Sequence, residues 1–198
     1  ARLKSLANPG AGRFYAANIK RGYHRNCWVS LHQMFTDNPW LENGVLLHWS
    51  AWPNDYDGSE LIDTTPGSLT ESSETRDDAA LIIGRTFIDR PAGIHITPLG
   101  RGVNGDNPWM DVQVNLGGFP SNQPPVLKLE VDNTNAVPGA LVHFHAAASD
   151  PDGDTLAYAW YFDDATFSTD NLYWAYKSWS TPGDHVVRCV VSDMKGGF

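Results

Sequence analysis

Asp150-Pro151-Asp152-Gly153-Asp154, lying between Val142-His143-Phe144-His145-Ala146 and Tyr158-Ala159-Trp160, is the stretch that decides the fold. Three carboxylates alternate over five residues while Pro151 and Gly153 favour a turn. Their oxygens therefore converge as a hard divalent cation such as calcium requires. The flanking runs have the composition and alternation of strands. A strand, an acidic turn and a Trp-bearing strand predict an extracellular β-sandwich module. The same five residues also suit a type I turn held by Asx hydrogen bonds with no ion. An EF-hand loop is excluded, because no Glu falls at its twelfth position.

Outward from this turn, Val126-Leu127-Lys128-Leu129-Glu130-Val131 alternates, as does Leu141-Val142-His143-Phe144-His145, and 185–191 follows in looser form. Period-two patterning of this kind predicts antiparallel strands in a sandwich, with Trp160 at its centre against Val142 or Phe144 and Val187 or Cys189. Upstream, strands are expected at 14–19, 27–32, 44–49, 80–84, 93–97 and 109–114. Nothing sustains a helical period beyond about two turns. The acidic Gly/Ser/Thr stretch at 66–78 reads as an exposed loop, the alternative being a short helix capped by Ser72 or Ser73. Gly117 to Pro125 combines Gly, Pro and polar residues where no ladder can run, which makes it a linker. The expected organisation is all-β, with one β-rich domain at 1–121 and a second at 122–198.

Composition narrows the partners. A net charge of −9 leaves no basic surface to neutralise phosphates, so nucleic acid and anionic lipid are excluded as expected partners. No apolar run approaches a membrane span. Ala1-Arg2-Leu3 carries no signal-peptide pattern and reads as a mature or chosen terminus, so secretion to the extracellular space or cell surface is an indirect expectation. Cys27 and Cys189 fall in different predicted domains and read as two buried thiols rather than a disulfide.

Catalytic patterns are missing from these 198 residues. The seven His include no i, i+4 pair, so the His-Glu-x-x-His of a zinc peptidase is absent. No Gly-x-Ser-x-Gly elbow occurs, neither Cys neighbours a His, and Gly100-Arg101-Gly102 is no phosphate loop. His143 and His145 share a strand face and read as surface imidazoles; as zinc ligands they would need a third from a neighbouring strand. Four of the eight Trp, namely Trp49, Trp52, Trp174 and Trp179, sit in polar surroundings and are candidates for stacking on sugars or anchoring a protein interface.

The second half carries a family resemblance. Ser149-Asp150-Pro151-Asp152-Gly153-Asp154 followed by Tyr158-Ala159-Trp160-Tyr161-Phe162-Asp163 resembles a PKD (polycystic kidney disease) domain, an Ig-like binding or spacer module. The resemblance implies calcium held by Asp150, Asp152 and Asp154 together with Asn122 or Gln123 and Asp193. It also carries departures. Asp163 and Ala165 stand where the family has turn glycines, so that turn is expected to be altered or widened. The segment 176–183 is longer than usual, and the final strand of the sandwich is expected to be lacking.

The first half has a resemblance of its own, over roughly residues 12 to 100. Gly44-Val45-Leu46-Leu47-His48, Leu61-Ile62-Asp63-Thr64-Thr65-Pro66, 78–89 and Gly93-Ile94-His95-Ile96-Thr97 are similar to the β-rich region that follows the zinc site in secreted gametolysin-like metallopeptidases. The run 27–33 resembles the aromatic-rich strand that opens that region, with Cys27 where an aromatic is usual. This implies a non-catalytic accessory region, acting in spacing and in substrate or matrix contact, beside an upstream peptidase domain whose zinc lies outside this chain. The alternative is an extracellular adhesion or carbohydrate-binding fragment that contacts protein or polysaccharide.

Overall fold

The computed structural model describes residues 1–4, 16–21, 25–32, 37–51, 59–66, 68, 77–104 and 107–198. The architecture is all-β, as the alternation predicts. The first half contains β1 (Arg2–Lys4), β2 (Ala16–Lys20), β3 (Arg25–Ser30), β4 (Gly44–Ala51), β5 (Ser59–Leu61), β6 (Leu81–Ile82), β7 (Phe87–Asp89), β8 (Ile94–Asn104) and β9 (Asn107–Leu116). One helical turn, α1 (Pro39–Glu42), precedes β4. Asn38 caps it by accepting from the Trp40 and Leu41 amides at 2.9 and 3.1 Å, and Pro39 occupies the first turn, where its missing N–H costs nothing. Most of 66–78, including Ser72 and Ser73, lies outside the described residues.

Two antiparallel sheets form here, ordered β1-β9-β8-β7 and β2-β3-β4-β5, with β6 beside β4. Alternate residues of both sheets meet in one core: Cys27, Val29, Val45 and Leu47 from one, Ile94, Ile96, Met110 and Val112 from the other. The predicted run 80–84 shortens to β6, because Gly84 turns away at φ +82°.

The second half contains β10 (Val126–Val131), β11 (Val142–Ser149), β12 (Ala157–Phe162), β13 (Trp174–Lys177) and β14 (Val187–Ser192). They form the sheets β10-β11-β13 and β12-β14, all pairs antiparallel. Trp160 is fully buried, pairs with Cys189 across the β12·β14 ladder and lies 6.3 Å from the Phe144 ring of the facing sheet. Its indole N–H donates to the Leu172 carbonyl at 2.9 Å, which satisfies the one polar atom that so buried a Trp carries. The turn after β12 keeps a left-handed residue even without glycine: Ala165 sits at φ +61°. Among the described residues β14 is the last strand, and 193–197 form a turn closed by Asp193 N–H to the Gly197 carbonyl at 3.3 Å.

Among the described residues no sheet mixes strands from the two halves, yet the halves touch. Ala157 and Ala159, on the face of β12 opposite Trp160, are fully buried where Gly84 comes against the Tyr158 carbonyl; a Cβ at Gly84 would overlap that oxygen. Thr86 Oγ1 donates to Ser192 Oγ at 2.8 Å, Asn115 Nδ2 donates to the Met194 carbonyl at 2.9 Å, and the Trp40 and Phe167 rings meet at 4.6 Å.

Candidate functional site

The acidic turn connects β11 to β12 at the end of the sandwich nearest the linker. Asp150 organises it: its Oδ1 accepts the Asp152 and Asp154 amides at 2.8 and 3.1 Å, and its carbonyl accepts Gly153 N–H at 3.1 Å. Gly153 takes φ +75°, which the turn demands and a side chain would resist. Carboxylate oxygens of Asp150, Asp152 and Asp154 thereby lie within 4.8 Å of one another. Asp150 Oδ2 and Asp154 Oδ2 are buried with no hydrogen-bond partner. Two desolvated anionic oxygens without donors are costly unless a cation or water meets them.

The remaining predicted ligands surround this turn with different roles. The Gln123 backbone N–H donates to Asp152 Oδ2 at 2.7 Å. Asp193 is 1% exposed and accepts from Asn122 Nδ2 at 2.6 Å, Lys195 N–H at 2.7 Å and Gly197 N–H at 2.9 Å. It acts as the brace of the 193–197 turn. Lys195 is the residue that sequence reasoning misses. Its ammonium is hydrogen-bonded to Asp154 Oδ1, which holds the Lys195 pKa above its ordinary value, and Asp193 and Asp150 add to the effect. The all-oxygen donor set of three clustered carboxylates suits calcium. Lys195 already places one positive charge there, so an added ion would compete with it.

The candidate aromatics occupy three settings. Trp49 is half-buried, packs edge-on to Phe87 at 6.1 Å and lies under the Arg21 guanidinium at 4.7 Å. Trp52 lies outside the described residues. Trp174 stands beside Tyr176 at 5.2 Å on the outer face of the β10-β11-β13 sheet, where His143 stacks on Tyr176 at 4.3 Å. The neighbouring His145 meets Tyr173 at 5.4 Å and Glu130 at 3.5 Å. Among the described residues the one cluster of three metal-ligating side chains is the Asp150 group, so the two imidazoles are not joined by a third ligand. Trp179 closes the end of the second core against Phe144 and Phe162, stacks on His185 at 4.5 Å and donates to Asp163 Oδ1 at 2.8 Å.

Cys27 and Cys189 are free thiols, and burial pushes both up to about 12, so neither presents a thiolate at neutral pH.

A Trp-centred antiparallel sandwich with an acidic turn at one end defines an Ig-like module. A PKD domain is found at this place: the family model of the PKD domain matches residues 122–197. Neither a curated protein nor a solved structure matches the chain. PKD domains are non-catalytic and occur in extracellular proteins, which suggests an accessory or adhesion-type module here. No helix among the described residues is long and apolar enough to cross a membrane.

Proposed function

We propose that the chain is a non-catalytic accessory region of a secreted multidomain protein, in which a β-rich unit at 1–121 and the PKD unit at 122–198 space neighbouring domains and contact substrate or matrix. The observation that carries this is the grip of the acidic end of the sandwich on the linker: Asp152 holds the Gln123 amide and Asp193 holds the Asn122 side chain. Calcium drawn to the Asp150, Asp152 and Asp154 oxygens would neutralise their repulsion and stiffen that junction. Thermal melts with calcium and with a chelator test it. Calcium should stabilise the fold by about 2.7 kcal/mol at a hundred times its dissociation constant. Asp152→Asn should shrink that gain, and Lys195→Ala should enlarge it by removing the competing ammonium. Identical wild-type midpoints with and without calcium would mean that the acidic loop is a turn only.

The parent activity we propose is that of a zinc metallopeptidase, whose His-Glu-x-x-His would lie outside residues 1–198. The support is the resemblance of the spaced motifs between roughly residues 12 and 100. The purified chain should leave casein uncut, and chelator-sensitive cleavage by it would sink the accessory role. Adhesion to polysaccharide is favoured by the exposed Tyr173 and Tyr176 beside Trp174. Co-sedimentation with insoluble polysaccharide that Trp174→Ala leaves unchanged would remove it.

A further inference from the structure

β10 is the outer strand of its sheet. β11 pairs one edge, and among the described residues no strand pairs the other. Natural edge strands are usually blunted by proline, a bulge, an inward charge or brevity. β10 runs six residues with no proline, bulge or inward charge, its only charges being Lys128 and Glu130 on the outer face, and all six are exposed. Leu127, Leu129 and Val131 share the face that looks into the sandwich, opposite Ala148, Ala146 and Phe144 of β11, and remain 37%, 43% and 39% exposed. That face opens on a cleft of about 540 Å³, lined in part by Leu129, Val131, Phe144, Trp179 and Val187. Lys128 and Glu130 project from the other face and pair with each other at 2.6 Å.

The ladder settles which backbone groups point outward. Asp132 N–H donates to the His143 carbonyl at 3.1 Å, and Ala146 N–H donates away from β10, to the Tyr173 carbonyl at 2.7 Å. By the alternation of an antiparallel ladder, Lys128 and Glu130 direct their N–H and C=O groups to β11, whereas Leu127, Leu129 and Val131 direct theirs to the open edge.

This edge is complementary to itself. Two β10 strands set antiparallel about a two-fold axis through Leu129 bring Leu127 opposite Val131 and Lys128 opposite Glu130 of the second copy. In that register the outward groups of Leu127, Leu129 and Val131 form the hydrogen-bonded pairs. The two Lys–Glu pairs then fall at the non-hydrogen-bonded sites, where cross-strand side chains come closest. A slip of two residues one way sets Lys128 against Lys128, and the other way sets Glu130 against Glu130 while moving Lys128 opposite Asp132, so only the register centred on Leu129 gives both charges of β10 an opposite partner. We propose that two copies of this chain associate through β10 as an isologous pair, joining their β10-β11-β13 sheets into one continuous sheet.

Sedimentation equilibrium in salt of about 150 mM, which screens the net charge of −9 on each copy, tests this. The strand pair is smaller than a standard interface, so association is expected in the micromolar range or weaker. Across roughly 1 to 500 µM the mass should rise from 21.8 kDa towards twice that value. Lys128→Glu and Glu130→Lys each set like charges opposite one another and should stay monomeric. Mixed together they restore both ion pairs and should again reach the doubled mass. Both side chains are solvent-exposed, at 76% and 45%, so melting midpoints close to wild type are expected to accompany the loss of pairing. A wild type that stays at 21.8 kDa throughout, single variants that associate like wild type, or a mixture that stays monomeric would each overturn the proposal.

Discussion

Removing the Trp160 side chain should bring the second half to the margin of unfolding while leaving the first intact. The indole is fully buried between the two sheets, 6.3 Å from the Phe144 ring, and donates to Leu172 at 2.9 Å. Trp160→Ala loses the transfer free energy of the largest side chain in that core and leaves a cavity, together about 3 to 5 kcal/mol. The stranded Leu172 carbonyl adds about 1 to 3 kcal/mol if no water reaches it. A domain of this size is stable by only about 5 to 15 kcal/mol, so the variant sandwich should be marginal at room temperature. Trp160→Phe keeps most of the volume and should lose chiefly the hydrogen bond. Hydrogen exchange read by mass spectrometry separates the halves: protection in β11, β12 and β14 should collapse while protection in β8 and β9 persists. Wild-type protection across 142–192 in Trp160→Ala would refute the placement of this residue at the centre of the sandwich.

Three further outcomes follow from particular backbone and charge positions. Ala165 holds φ +61°, a conformation that costs an L-residue roughly 1 to 2 kcal/mol, so Ala165→Gly should raise the urea midpoint; an unchanged or lowered midpoint would show that the turn carries no such strain. Gly84 combines φ +82° with contact against the Tyr158 carbonyl, so Gly84→Ala should separate the halves and enlarge the radius of gyration in small-angle scattering. A wild-type radius would refute that contact. His185 is raised above its ordinary 6.5 by its hydrogen bond to Asp163 and then by the Thr181 carbonyl. The folded state thus favours the imidazolium, and the stability it adds is full below the unfolded value and lost as pH rises through the higher folded one. Between about pH 5.5 and 8.5, urea midpoints of wild type should fall relative to those of His185→Gln; parallel profiles would refute the linkage.

Much of the second half is legible in the sequence because strand faces alternate, and 126–131, 142–149, 157–162 and 187–192 all contain runs that show it. β13 is not legible. Its four residues bury only Ala175 fully, and aromatics at Trp174 and Tyr176 read equally well as surface anchors. β1, β5 and β7, of three residues each, are too short to display any period. At the acidic turn, the residue types and spacing of Asp150, Asp152 and Asp154 foretell a cluster. Nothing in Asp193-Met194-Lys195 foretells that the ammonium reaches Asp154, 41 residues away in the chain.

What the sequence determines by itself is local: which residues extend, where the chain turns, and which side chains share a face, since these follow from sterics and period within a few residues. Whether a face is covered depends on what the fold brings opposite it. Ala157 and Ala159 look unremarkable in sequence, yet both are fully buried in the part of β12 whose backbone Gly84 of the other half approaches. Leu127, Leu129 and Val131 have the alternation of a core strand, yet the tertiary structure leaves them open to solvent. Burial is a property of two surfaces, and the second of them is set by residues far away along the chain.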